Sequence, residues 1–206
     1  MPGILLMTKM GIWNQLTINP NQIFLFHCFP LEDFSDKIDL INNYHTNTYV
    51  TTLKTIIKHN YDYRHNIDGF QTLTMGDGLL QSYTQLMRNG SLEFYTSLIF
   101  LQDQSLYKVY NIAGGRLAGA INECVDIAFN LYKQLEIEPI FYVKCTICNL
   151  QNSKLIDNNS YVEGYVIRRE KIELPGILVT PENRSKSVTQ VKDIIWQSSG
   201  RAKCTF

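Results

Sequence analysis

Two cysteines, Cys145 and Cys148, have the C-x-x-C spacing that can bind a metal through two thiolates or form a redox-active disulfide. A structural zinc site usually needs four ligands, and the neighbouring pair His27-Cys28 fits zinc geometry badly. The residues around Cys145 and Cys148 predict a strand, on which the two thiols point to opposite faces. We therefore predict two structural thiols, with no metal and no disulfide.

The segment Gly114-Gly115-Arg116 opens a predicted helix. Backbone amides at a helix start can bind phosphate, and an arginine beside them adds charge. The segment matches neither the P-loop nor the dinucleotide fingerprint, which both need further glycines or a lysine at fixed offsets. A glycine bend between a strand and the helix is the favoured interpretation, and a small-ligand or phosphate site is the alternative. No cofactor is predicted.

Two histidines, His59 and His65, flank Asp62 and Arg64 in a predicted loop. A histidine beside a carboxylate is the usual starting point for a general base. However, no serine or cysteine lies in a nucleophile-elbow motif, and no carboxylates recur at a spacing that would pair them. We predict that these four residues contribute to a surface or an interface rather than to catalysis. An enzyme or a ligand sensor that uses this loop is the alternative.

A basic cluster follows a predicted strand near the end of the chain, and further basic residues come after it. The chain has 19 Lys+Arg and 19 Asp+Glu, so its net charge is zero and it has no general positive field. Charges that protect a sheet edge explain the cluster better than phosphate contacts do. We predict no sequence-specific nucleic-acid binding, with weak non-specific binding as a third hypothesis. The residues concerned are Arg168, Arg169, Lys171, Arg184, Lys186, Arg201 and Lys203.

The elements that position these residues are predicted from hydrophobic periodicity. Alternating residues from Ser82 to Ser97 surround Asn89-Gly90, which favours a β-hairpin with a two-residue type I′ turn. The second arm, extended to Leu101, and a third strand would form a small antiparallel meander. The other predicted elements are strands at 70–74, 106–112, 140–147 and 161–167, an extended run at 174–179, a loop at 59–70, and helices within 31–57, over 117–135 and over 188–196.

The composition indicates a single globular α+β domain over residues 1–206, with an antiparallel sheet and flanking helices. Apolar residues make up 45% of the chain, which is enough to form a packed core. No apolar stretch approaches the about 20 residues of a membrane helix, so no membrane span is expected. The first residues do not resemble a signal peptide, and the five cysteines are an odd number. A cytoplasmic location is therefore expected.

Four pieces of the second half occur in a characteristic order. They resemble the C-terminal region of bacterial proteins whose N-terminal half is a Schlafen-like, AlbA-type DNA-binding module. The resemblance covers roughly residues 60–204 and implies no chemistry. The DNA-binding module itself is not in this chain, so its nucleic-acid role is not carried over. The pieces are Ile67-Asp-Gly-Phe70, residues 85–93, residues 131–141, and residues 167–177 followed by 195–200.

The function predicted from these features is a non-catalytic interaction, assembly or regulatory module. Charged residues are only 18% of the chain, and a surface with few charges and zero net charge favours association. Twelve tyrosines add to this, because tyrosine gives large contact area at low entropy cost. We therefore expect a homo-oligomer or a protein partner.

Overall fold

A computed structural model describes residues 17–18, 23–32, 51–57, 61–102, 110–156 and 166–206. Its helices are α1 (Gly114–Gln134) and α2 (Arg184–Ser198). Its strands are β1 (Thr17–Ile18), β2 (Ile23–Pro30), β3 (Asp62–Asn66), β4 (Gly69–Gly76), β5 (Leu79–Met87), β6 (Leu92–Thr96), β7 (Phe100–Gln102), β8 (Tyr110–Ala113), β9 (Phe141–Cys148), β10 (Leu155–Ile156), β11 (Lys171–Glu173) and β12 (Ile177–Val179).

The strands form a large, mostly antiparallel sheet and a small second sheet. The order in the large sheet is β11-β9-β2-β6-β5-β4-β3, with β12 paired to β9 and the short β1 paired in parallel to β5. Because β11 and β12 both pair with β9, they follow one another along the same edge, which we call the β11/β12 edge. The small sheet has the order β10-β8-β7. An antiparallel sheet with helices confirms the predicted α+β class.

The predicted hairpin is confirmed, but its turn differs from the prediction. The backbone N–H of Gly90 donates to the carbonyl of Met87 at 2.9 Å, and the N–H of Met87 donates to the carbonyl of Ser91 at 2.8 Å. Of the central residues, Gly90 alone has a positive φ, at 81°. This pattern is typical of a type I turn followed by a glycine bulge. The type I′ prediction is therefore wrong, because such a turn also needs a positive φ at Asn89.

The predicted loop before β4 is wrong, because Asp62–Asn66 forms the edge strand β3. The side chain of Asn66 accepts hydrogen bonds from the backbone N–H groups of Asp68 and Gly69 at 3.0 and 2.7 Å. These bonds stabilise the turn into β4. The strand escaped prediction because its residues are polar and aromatic without an alternating pattern, as an edge strand allows.

Two further predictions need correction. The meander is wrong, because β6 pairs with β5 and β2, whereas β7 and β8 belong to the small sheet. The helix predicted through Ile57 is wrong for residues 53–57, which are irregular and include a φ of 73° at Ile57. Most of the other helix residues predicted within 31–57, and most of the strand predicted at 161–167, lie outside the described residues, as does His59.

The main core lies between one face of the large sheet and the two helices. In β2 the alternate residues Phe24, Phe26 and Cys28 are fully buried in this core. Apolar residues of α1 recur every three or four positions and pack against them, as the sequence predicts. We call this the inner face of the sheet. The residues between those three, such as Leu25 and His27, therefore point to the outer face.

Helix α2 closes the edge of the sheet at β12. The helix begins at Arg184, four residues before its predicted start at Val188. The Asn183 amide and the Ser187 hydroxyl both donate to the carbonyl oxygen of Leu178, at 3.3 and 3.0 Å. Gly200, with a φ of 84°, follows the helix as predicted. The side-chain hydrogen bonds fix the outer strand relative to the helix.

Candidate interaction surface

A row of polar side chains crosses the outer face from β3 to β9. Each member lies directly opposite the next across a pair of antiparallel strands. Cross-strand neighbours of this kind have Cβ atoms about 4.5–5.5 Å apart, so adjacent members can interact. In order across the sheet, the row consists of Arg64, Gln71, Gln85, Glu93, His27 and Lys144.

The β3 end of this row is held by hydrogen bonds to the side-chain amides of Gln71 and Gln85. The Arg64 guanidinium donates to the Gln71 side-chain oxygen at 3.1 Å. The Asn66 amide donates to the Gln85 side-chain oxygen at 2.8 Å. Gln71 and Gln85 are both buried, so these bonds satisfy amide groups that would otherwise be costly to desolvate.

The centre of the row is a buried carboxylate with two hydrogen-bond donors. Nε2 of His27 lies 2.7 Å from the Glu93 carboxylate, and the hydroxyl of Tyr83 donates to its other oxygen. Burial by itself would raise the pKa of Glu93. The hydrogen bond and charge of His27, with the Tyr83 hydroxyl, outweigh that effect and hold the pKa below its ordinary value. Glu93 is therefore charged at neutral pH.

The His27 ring connects this carboxylate to an exposed aromatic side chain. Because Nε2 faces Glu93, the ring orientation is fixed, and Nδ1 is buried without a hydrogen-bond partner among the described residues. The ring stacks on Phe29, with centroids 5.6 Å apart and planes within 8°. The buried hydrogen bonds thus help to hold Phe29 in place on the outer face.

Phe29 belongs to an exposed row that we call the apolar patch, made of Phe29, Tyr142 and Leu178. Their exposed fractions are 41%, 43% and 36%. Tyr142 lies directly opposite Phe29 on one side and Leu178 on the other, so the three form one line across β2, β9 and β12. Single exposed apolar residues are common, whereas these three are contiguous, which makes the row a candidate interaction surface.

Three charged side chains continue the outer face along β9 and β11, beginning at Lys144, two residues from Tyr142. Glu173 accepts hydrogen bonds from the ammonium groups of Lys144 and Lys171 at 2.7 and 2.9 Å. The Lys144 bond, followed by that of Lys171, lowers the pKa of Glu173 to about 2. All three side chains are well exposed, so their charges are available to a partner. Of the predicted interaction residues, Lys171 contacts Glu173, but it lies opposite Cys148, six residues along β9 from Tyr142.

The other predicted basic residues are not gathered on one face. Arg168 and Arg169 are exposed before β11. Arg184 forms an ion pair with Asp126 and lies over the ring of Phe129. Helix α2 has 15 residues, so it separates Arg184 from the basic residues after its C-terminal end by about 22 Å. This arrangement does not form a continuous phosphate-binding surface.

The predicted pairing of histidine and carboxylate before β4 does not form among the described residues. Asp62 and His65 are three residues apart on β3, so their side chains point to opposite faces. The His65 ring packs edge-on against Phe70, with centroids 5.1 Å apart. Arg64 lies on the outer face and belongs to the polar row. No general base is assembled from the described residues of this segment.

The Gly114-Gly115-Arg116 segment lies within α1 rather than in a bend before it. The helix begins at Gly114, directly after β8, with no side-chain cap and no acidic residue in its first turn. Arg116 donates to the carbonyl oxygen of Leu98 at 3.2 Å. The described clefts of about 360 and 260 Å³ are lined by other residues. Neither of these two clefts lies at the predicted phosphate site.

The two thiols of the C-x-x-C pair lie on opposite faces of β9, as the strand alternation predicts. Cys145 is buried in the main core, whereas Cys148 is half-buried on the outer face. All five cysteines of the chain are free thiols. In the described part of the chain, no three His, Cys, Asp or Glu side chains are grouped closely enough to bind a metal.

Alkylation with iodoacetamide under native conditions is expected to modify Cys148 and Cys204 and to spare Cys28, Cys124 and Cys145. Burial raises the pKa of the latter three thiols and blocks access to them. Mass spectrometry of the peptides gives the measurement, and alkylation in urea, which should modify all five, is the control. Equal native labelling of Cys145 and Cys148, or protection of both by stoichiometric zinc, would contradict this expectation.

Sequence analysis missed most of this surface. Glu93 and Phe29 were not singled out, and His27 was considered only as a poor zinc ligand, because each is unremarkable within its own strand. His27 and Glu93 are 66 residues apart in sequence, and only the pairing of β2 with β6 brings them together. The one available signal was the alternation of β9, which points Tyr142, Lys144 and Cys148 to the same face.

Comparisons with known proteins identify no relative of this chain. No helix among the described residues is long and apolar enough to span a membrane. No protein-family model, no curated protein and no solved structure matches the chain. The resemblance to the C-terminal region of proteins with a Schlafen-like module stays a prediction. Function is therefore inferred from the outer face of the sheet.

Proposed function

We propose that this protein is a non-catalytic interaction and assembly module that binds a protein partner through the apolar patch. The observation that carries this proposal is the alignment of Phe29, Tyr142 and Leu178, three exposed apolar side chains in cross-strand register. Burying apolar surface of this kind is the main favourable contribution to protein association. The five free thiols are consistent with a cytoplasmic location, which is part of the same proposal.

The size of the patch indicates how strong this association should be. Three neighbouring strands at about 4.8 Å spacing make a surface roughly 14 Å wide. Stable interfaces bury about 800 Å² on each partner, and a single line of three partly exposed side chains supplies only part of such an area. Tyr142 at its centre and Phe29 at one end are of the residue types often found at binding hot spots or in interface cores. We expect a dissociation constant in the micromolar range.

The test compares two substitutions that each remove one exposed apolar side chain. Tyr142→Ser should weaken association at least ten-fold, because it removes the middle of the patch. Ile67→Ser is the matched control, since Ile67 is 76% exposed at the turn between β3 and β4 and lies outside the patch. Sedimentation equilibrium up to about 50 µM, where a micromolar complex is largely formed, gives the measurement.

Wild-type protein and Ile67→Ser should then show the same association constant, with all three proteins equally folded by circular dichroism. A monomeric wild-type protein over this range would contradict the proposal for self-association. An equal loss of association in both variants would show that general surface hydrophobicity, not the patch, is responsible.

A further inference from the structure

We propose that the partner is a second copy of this chain, packed face to face about a two-fold axis. The axis runs parallel to the strands, between β9 and the β11/β12 edge. This inference rests on the proposed function, because it uses the same patch. It adds the identity of the partner, the symmetry of the complex and the residues that meet across it.

The strand register determines which apolar side chains of the two copies face each other. Tyr142 and Leu178 lie directly opposite each other on either side of the axis. A two-fold rotation about that line exchanges the two sides, so Tyr142 of one copy lies over Leu178 of the other. The same contact occurs twice, as an isologous interface requires. Aligned sheets pack in this way with their strands within about 30° of each other.

The charged residues obey the same symmetry. Lys144 on β9 and Glu173 on β11 also lie on either side of the axis, and their side chains are long enough to meet at 2.7 Å within one copy. Glu173 lies opposite Thr146, two residues along β9 from Lys144, so the ends of the two side chains meet beside the axis. The rotation brings the ammonium group of each copy close to the Glu173 carboxylate of the other. Each ammonium group can therefore exchange its carboxylate partner for the equivalent one across the interface. The surface is electrostatically complementary to itself.

The distribution of charge favours a second copy over an unrelated partner. A basic or acidic partner would be matched by a surface of one sign, whereas Glu173 here lies between Lys144 and Lys171. The whole chain has zero net charge, with 19 basic and 19 acidic residues, so two copies do not repel one another at long range. Both features permit self-association.

The test is a charge exchange between Lys144 and Glu173. Lys144→Glu alone places two carboxylates against each other at both symmetric contacts, and Glu173→Lys alone places two ammonium groups there. Each variant alone should associate at least ten-fold more weakly than the wild-type protein. An equimolar mixture of the two should form a heterodimer with wild-type affinity, because every contact then pairs opposite charges. Lys203→Glu, an exposed charge reversal on the C-terminal segment, is the control and should change nothing.

The outcomes separate this inference from the function on which it rests. A wild-type protein that remains monomeric overturns this inference and the self-association on which it rests. A wild-type dimer whose affinity is unchanged in the single variants, or not recovered in the mixture, overturns the two-fold arrangement and leaves the interaction module in place. Weak association of each single variant, with wild-type affinity recovered only in their mixture, supports the two-fold arrangement. Sedimentation with one variant fluorescently labelled measures both. Unfolding in urea shows whether each variant is folded.

Discussion

Replacing Glu93 by alanine is expected to lower the free energy of unfolding by about 3–6 kcal/mol, because two hydrogen bonds to a charged group contribute about 1.5–3 kcal/mol each. Glu93 accepts hydrogen bonds from His27 and Tyr83 inside the sheet. Its loss leaves a buried imidazole and a buried hydroxyl without their acceptor, and groups of that kind are expensive to leave unpaired. Urea unfolding followed by circular dichroism gives the measurement.

Glu173→Ala is the matched control for this prediction. Glu173 also has two partners, Lys144 and Lys171, but all three side chains are exposed to solvent. Solvent screens such pairs, so the substitution should change the free energy of unfolding by less than about 1 kcal/mol. Equal losses in the two variants would show that burial of Glu93 does not matter.

The same carboxylate should make stability depend on pH. Burial raises the pKa of Glu93, but the hydrogen bonds and charge of its partners bring it below the ordinary value of 4.5. A carboxyl group whose pKa is lower in the folded state stabilises the protein above the unfolded pKa, and that stabilisation is lost as pH falls through the folded pKa. The difference in stability between wild type and Glu93→Gln should therefore shrink between pH 7 and pH 3. A constant difference would contradict the lowered pKa.

The second large effect is expected at Gly69, where alanine should cost more than about 3 kcal/mol through a steric clash at a strained position. Gly69 has a φ of 152°, and a Cβ atom there would collide with the carbonyl oxygen of Leu86 on the neighbouring strand. The clash involves backbone, so no side chain can move aside to relieve it. The β3–β4 hairpin would have to shift away from β5.

Gly78→Ala separates the clash from the unusual φ. Gly78 also has a positive φ, at 74°, but a Cβ atom there meets nothing within 4 Å. Its replacement should cost about 1–2 kcal/mol, the price of a left-handed conformation for an L-residue. Thermal unfolding of both variants gives the comparison. If Gly78→Ala were as destabilising as Gly69→Ala, the close approach of Leu86 would not explain the effect.

Local patterns predicted the elements that carry their own signal. Helix α1, strand β9 and the hairpin at Asn89-Gly90 each have a clear period or a turn motif within a few residues. Strand β3 has neither, because an edge strand such as Asp62–Asn66 can be polar on both faces. The order of the sheet was also beyond prediction, since β2 pairs with β9 across more than a hundred residues.

The sequence predicted that the protein has an interaction surface, but it did not predict which residues form that surface. Composition indicated an interaction module, and Lys171 was among the residues singled out for interaction. The patch itself depends on register, because Phe29, Tyr142 and Leu178 come from three strands that are distant in sequence. Sequence periodicity predicts which residues of one strand share a face. It does not predict which strand lies beside that strand, or in which register the two pair.

The central claim is that this protein associates through the apolar patch, and residue-specific NMR during a dilution series tests it most directly. Backbone amide signals of Phe29, Tyr142 and Leu178 should shift together as the concentration rises from about 5 to about 200 µM, through the range of a micromolar dimer. The signal of Ile67, at the far turn, should remain constant. Signals that do not change with concentration, or that change at Ile67 and not at the patch, would contradict the claim.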